Sequence, residues 1–304
     1  MNIIEYIRER TVTSLFGMND FSRSFPLWRP MILSLLGSNY RFHQMLDLGD
    51  SLRDIFKSSG QPGRSQSSVS RGGTTWEGLV AWYLDFNLVG TRAVVIKQSK
   101  PLVPTPIADA ITVNYGNFAS NTESDLISIV FPKHVDFTRD ISSYYNNKGR
   151  LDYKSTVNDL CKMHIPDIDI GIIQCKTNWN DNAQIPMLWQ MVYSSQGFNP
   201  AGGGMRVTVG RNGYRIGDFH SFFYAFVTVP SGKRQTSYES GSLPVKRVMN
   251  LSGGNYWGMK SSSGVASSIK EFFVNNYKSA WMSSSQQLDV DGFLSSGDTS
   301  YFGL

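Results

Sequence analysis

The chain has only two cysteines, Cys161 and Cys175, among its 304 residues. Two thiols make neither a disulfide framework nor a four-thiolate zinc site. Histidine is almost as scarce. His43, His134, His164 and His220 show no HxH or HxxxH spacing, so the sequence directs any metal chemistry towards oxygen ligands. His164 and His220 adjoin apolar strands and read as structural residues. No GxSxG elbow supports serine hydrolysis. The glycines of AGGGMRVTVG (201–210) lack the Walker spacing and its lysine, and read as turns. No apolar run approaches the ~20 residues that span a bilayer. The opening stretch carries Glu5, Arg8, Glu9 and Arg10 where a secretory leader needs apolar residues. Together these absences set the expectation of a cytoplasmic protein with no membrane partner.

What is present excludes wholesale disorder. Hydrophobic residues make up 40% and aromatic ones 13%, enough to bury a core in one large domain or two small ones. Charge is thin at 17%, but 29 Lys and Arg against 24 Asp and Glu leave +5, a lean towards a polyanionic partner.

Apolar spacing divides the chain. Residues 1–56 read as an N-terminal helical region, with Pro26 and Pro30 separating its pieces. Residues 57–75 carry one aliphatic side chain, Val69, and the charges Lys57, Arg64 and Arg71. They read as a flexible basic Ser/Gly-rich loop, either a solvated linker or an arm that orders on phosphates. From 76 to 304 the expectation is one catalytic domain with a basic C-terminal segment. Thr75 caps a helix over 76–89, and 91–97, 123–132, 167–176 and 220–230 read as strands. Helices are expected at 154–163, 183–194 and 265–277, and a hairpin turns at Asn212-Gly213. The fold class expected is α/β, a central mixed β-sheet flanked by helices.

The informative stretches are ESDLISIVFP (123–132) and IPDIDIGIIQCK (165–176). A carboxylate inside an apolar strand is costly unless it is paired or binds a cation. Strand side chains alternate, so Gln174 and Lys176 share one face and Cys175 takes the other. If the two strands pair, Asp125, Gln174 and Lys176 converge. Oxygen atoms of Asp125 and Gln174, with the main-chain carbonyl of Cys175, suit Mg²⁺. Lys176 would then lie beside a metal-bound water and orient or deprotonate it. Asp169, at an odd separation from Gln174, is the reserve ligand and needs a bulge at Gly171 to reach the same face.

Asp125 with Gln174-Cys175-Lys176 resembles the metal-binding aspartate and acidic-x-Lys tripeptide of the PD-(D/E)xK nuclease superfamily, over roughly residues 76–230. Glu77, early in its helix, looks like the extra glutamate many members carry before the first active strand. The acidic position is Gln174 here, which removes one negative charge from the cation site. The resemblance implies a restriction-endonuclease-like core and a Mg²⁺-dependent DNA endonuclease of a type II restriction system. It also implies double-stranded DNA as substrate and a homodimer matched to palindromic sites.

DNA contacts are expected from Arg64 and Arg71, from Lys133, Arg139, Lys148 and Arg150 in an insertion at 133–165, and from Lys233, Arg234, Lys246 and Arg247. Residues 231–278 carry seven basic and two acidic side chains, with Tyr256 and Trp257 among them. Such a face also fits a second class of function, a non-catalytic DNA-binding protein.

Overall fold

The computed structural model describes residues 1–59, 66–97, 102–120, 124–177, 184–199, 202–229, 239, 241–257 and 265–304. The chain opens with three helices, α1 (Ile3–Phe16), α2 (Asn19–Leu36) and α3 (Phe42–Ser58), followed by α4 (Gln66–Asn87). Next come β1 (Ala93–Lys97), α5 (Thr105–Ala110), β2 (Val113–Tyr115), β3 (Phe118–Ser120) and β4 (Leu126–Val130). A connection holding α6 (Val135–Thr138) and α7 (Tyr153–His164) leads to β5 (Asp169–Lys176). The rest comprises α8 (Gln184–Ser194), β6 (Gly197–Phe198), β7 (Val207–Val209), β8 (Ser221–Thr228), α9 (Leu243–Val248), β9 (Asn255–Tyr256), α10 (Ile269–Asn276) and α11 (Gln286–Ser296).

The class is α/β. A mixed five-stranded sheet runs in the order β1-β4-β5-β8-β9. Its first two pairings are antiparallel and its last two parallel. A smaller antiparallel sheet, β3-β2-β7-β6, lies apart from it. Strand parity sorts the large sheet into two faces. Ile173, Cys175, Ala225 and Val227 pack with α2, α3, α4 and α10. Ile170, Ile172, Tyr224 and Phe226 pack with α5, α7, α8, α9 and the small sheet. Both faces are buried, so the central strands read as nearly continuous apolar runs.

The N-terminal helices are not an appendage, since Phe21, Trp28, Leu52 and Phe56 share one core with Trp76, Val80 and Leu84 of α4. Two expectations need correcting. Pro26 and Pro30 lie inside α2 and do not divide it. A proline costs one helical hydrogen bond, and burial of Phe25, Trp28 and Ile32 on the core face outweighs that loss. The loop expected over 57–75 is also too long, because α4 begins at Gln66 and carries Arg71. Helix propagation from the buried face of α4 overrides a Ser/Gly-rich composition.

A buried ionic network fixes α1 and α4 against the edge of the sheet. Arg8 is fully buried and donates to Glu5 Oε2 (3.0 Å), the Ala93 carbonyl (2.7 Å) and Asp85 Oδ1 (3.4 Å). Asp85 also accepts from the Val95 amide (2.9 Å), and Glu5 from the Gly90 amide (2.8 Å). Burial pushes the Asp85 carboxyl up to about 7, against the pull of Arg8. The network ties α4, which bears Glu77, to β1, which ends at Lys97.

Candidate active site

Three elements end or begin at one edge of the large sheet. β1 ends at Lys97, the chain enters β4 through Asp125, and β5 ends at Lys176. Leu126 pairs with Ile173 in antiparallel register, which sets Asp125 opposite the Gln174–Cys175 step. Asp125 Oδ2 accepts a hydrogen bond from the Cys175 backbone amide (2.7 Å). The Lys176 ammonium lies 3.6 Å from the same oxygen. An N–H and a C=O of one strand residue point to the same side. The Cys175 carbonyl therefore faces the flank on which Asp125 sits.

Glu77, midway along α4, forms an ion pair with Lys97. The order around the site is Glu77, Lys97, Asp125, Lys176, two carboxylates alternating with two ammonium groups. Burial pushes the Asp125 carboxyl up to about 6, and Glu77 adds to the rise. Lys176, the Cys175 amide and Lys97 oppose it. Burial also drives the Cys175 thiol far above its ordinary value, as expected of a core cysteine. Lys97 escaped the sequence reading, although a lysine closing the apolar run AVVI was a visible signal of a polar strand end.

Gln174 shares a face with Lys176 but is turned into the core. It is 1% exposed, and its Oε1 accepts from the Tyr224 hydroxyl (3.1 Å). Its oxygen is thus occupied by a neighbour on β8 rather than presented beside Asp125. Asp169 is excluded as reserve ligand. It occupies the other end of β5, about 23 Å from Lys176 at ~3.3 Å per residue. No bulge interrupts the strand, whose pairing with β8 runs unbroken from Asp169–Ser221 to Lys176–Thr228. Gly171 meets a different need, because a Cβ there would lie 2.2 Å from the Phe223 ring that crosses it.

The expected DNA contacts scatter. Lys133 and Arg139, expected to contact DNA, follow the exit of β4 at the end of the sheet opposite Asp125. Arg139 is committed locally: it donates to the Tyr144 hydroxyl (2.8 Å) and lies 3.4 Å from Asp136 Oδ1. Lys148 and Arg150 are exposed in a turn, and Lys246 and Arg247 occupy the last turn of α9. Arg64, Lys233, Arg234 and Glu123 lie outside the described residues, as does the Arg71 side chain. Within the basic C-terminal segment, Lys270 is neutralised by Asp47 (2.6 Å) and Asp50 (3.5 Å).

Histidine is where the sequence misled most. His134, Asp136 and His164 come together on one oxygen and two nitrogen atoms, far from Asp125. Spacing conceals the set, since His164 is 28 residues from Asp136 and only the fold closes that loop. No protein-family model matches the chain, and no curated protein matches it. Among the described residues, no helix is long and apolar enough to cross a membrane.

Proposed function

We propose that the chain is a Mg²⁺-dependent phosphodiesterase acting on double-stranded DNA, built on a restriction-endonuclease-like core and working as a homodimer. The observation that carries this reading is the meeting of Asp125, Lys176 and Glu77 from three separate elements at one sheet edge. The mixed sheet, with a glutamate-bearing helix before its first strand, supports the same reading.

The donors fit a hard divalent cation: the Asp125 carboxylate, the Cys175 carbonyl and, once freed from Lys97, the Glu77 carboxylate. Two carboxylates crowded in a half-buried site, with Asp125 pushed up to about 6, are the charge pattern that cation binding relieves. Mg²⁺, when bound, lowers the pKa of a coordinated water and screens the phosphate charge. Lys176, one-third exposed and 3.6 Å from Asp125, holds a positive charge where an attacking water and a scissile phosphate meet. Lys97 neutralises Glu77 in the metal-free state, which lets two acids share a small site. Gln174, as placed, orients Tyr224 and supports the strand end from beneath.

The test is incubation of plasmid DNA with the purified full chain, with and without Mg²⁺. The expected outcome is Mg²⁺-dependent cleavage, in discrete fragments if base edges are read. Lys176→Ala should abolish cutting and leave folding and DNA binding near wild type. Cleavage by Lys176→Ala at the wild-type rate, or none by the wild-type chain with Mg²⁺ or Mn²⁺, would overturn the assignment.

A further inference from the structure

We propose that His134, Asp136 and His164 form a binding site for a borderline transition-metal ion, with Zn²⁺ the natural occupant. The site lies at the end of the sheet remote from Asp125, and metal binding there is independent of nuclease activity.

His134 caps α6, Asp136 lies in the first turn of that helix, and His164 closes α7. Asp136 Oδ2 sits between the two rings, 3.1 Å from His134 Nδ1 and 3.0 Å from His164 Nε2. All three donor atoms lie within 4.8 Å of one another. Tetrahedral ligands at ~2.0–2.1 Å from zinc stand about 3.3 Å apart, close to the two distances from Asp136 Oδ2 to the imidazole nitrogens. Two imidazole nitrogens and one carboxylate oxygen are ligands for zinc and its first-row neighbours rather than for Mg²⁺.

A second observation favours an ion over a plain hydrogen-bonded cluster. His134 Nδ1 accepts the Asp136 backbone N–H at 3.2 Å. Yet it faces Asp136 Oδ2 at 3.1 Å. In the tautomer that accepts the cap bond, no proton separates Nδ1 from that oxygen, and the two electron-rich atoms repel. A cation there turns that repulsion into coordination, taking the Nδ1 lone pair from the weak cap bond. The outer contacts are those a metal-bound carboxylate needs. Arg139 lies 3.4 Å from Asp136 Oδ1, which leaves Oδ2 to the rings. The Asp136 main-chain carbonyl accepts from the Tyr144 hydroxyl, and Arg139 lies over that same tyrosine ring, 4.3 Å from its centroid. Phe137 packs against His164 at 5.3 Å between centroids and against Phe131 beneath.

Three protein ligands leave one position open, and the half-exposed His134 gives an ion its entry from solvent. The ion would act as a clamp. It ties the first turn after β4 to the last turn of α7 and closes the intervening segment, which bears Arg139, Lys148 and Arg150. Folding of that segment is thereby coupled to metal.

The experiment uses the full chain carrying Asp125→Asn, stripped with chelator, so that the other site does not contribute. Titration with Co²⁺ should give a visible ligand-field band of tetrahedral type at one equivalent, displaced by Zn²⁺. Zn²⁺ should raise the melting temperature. His164→Ala and Asp136→Asn should weaken binding by more than about 100-fold, and Arg139→Ala, which pairs with Asp136 through its outer oxygen and not with a ligand atom, by about 10-fold. His220→Ala, a histidine outside the set, should bind as the parent does. Absence of the band in the folded parent, or Zn²⁺ affinity unchanged in folded Asp136→Asn, would overturn the proposal. His164→Gln, which retains bulk, serves if the alanine variant does not fold.

Discussion

Asp169 and Asp125 lie at opposite ends of the same strand pair and are almost equally buried, with side chains 16% and 14% exposed. Their surroundings differ. Asp169 accepts from the Ser221 hydroxyl (2.7 Å) and the Ser279 hydroxyl (3.1 Å), and its Oδ1 lies 2.7 Å from His220 Nδ1. Three side-chain partners spread over both of its oxygens make it a brace between β5, β8 and the loop after α10. Asp125 receives one backbone amide and a lysine 3.6 Å away, and it faces Glu77. Equal burial with unequal satisfaction separates a carboxylate that braces the fold from one whose charge the fold satisfies less fully. Desolvation without enough donors raises the cost of the charged form, and a cation is the cheapest remedy.

The comparison breaks most visibly in cleavage. Asp125→Asn should lose cleavage by on the order of 10³-fold or more, since a metal site supplies several kcal/mol of charge stabilisation. Asp169→Asn should cut near the wild-type rate and lose about 1–3 kcal/mol of stability in urea unfolding, the cost of a buried acceptor pairing badly. Asp169→Asn dead beside an active Asp125→Asn would reverse the roles of the two ends.

A third carboxylate sharpens the rule. Asp85 is deeper than either, and its partner is the buried Arg8 guanidinium. Arg8→Met should destabilise the protein by about 3–5 kcal/mol, because Glu5 and Asp85 would be left buried without their cation. An unchanged denaturation midpoint would mean that this network is not what sets α4 against β1.

Smaller effects test the electrostatics directly. In the metal-free protein the Asp125 carboxyl should titrate near 6 when followed by NMR. Lys176→Met should move that midpoint up and Glu77→Gln should move it down, each by about one unit or less, since the first removes an attracting charge and the second a repelling one. The acid is neutral below its midpoint and charged above it. Cleavage at fixed Mg²⁺ should therefore rise as pH goes from about 5 to about 7. Because the folded value lies above the ordinary aspartate value, Asp125 also makes the metal-free fold less stable as pH rises from about 4 to about 6. Shifts of the opposite sign would show that Lys176 and Glu77 do not govern Asp125.

The subtlest case is Gln174→Glu. It adds an oxyanion next to the site while the Tyr224 hydroxyl can still donate to it. The Mg²⁺ concentration for half-maximal cleavage should stay near the wild-type value, because the residue 174 side chain is turned into the core and held by Tyr224 rather than presented to the cation. A clearly lower midpoint in a folded, active variant would bring residue 174 into the ligand set and overturn its role as a mere support for Tyr224.

Much of this protein is legible in its residues. Apolar runs and their parity place β4, β5 and β8, and with them the shared face of Gln174 and Lys176, because period-two alternation is a local property of a strand. Asn212 and Gly213 announce their turn by tolerating positive φ, at 52° and 84°. The helix content of α2, with two prolines inside it, was not legible, since the apolar face that rescues it is completed only by α3 and α4. Neither was the occupation of Gln174 by Tyr224, a contact between residues 50 apart. Lys97 could be read as a strand end but not as the partner of Glu77. The grouping of His134, Asp136 and His164 required α7 to return along the sheet and bring its last residue back to the first turn after β4. Sequence by itself determined which faces are apolar and which residue types stand at strand ends, because those follow from neighbours along the chain. Only the tertiary structure decided which carboxylates find donors and which are left facing one another, because desolvation and pairing depend on atoms that distant segments bring together.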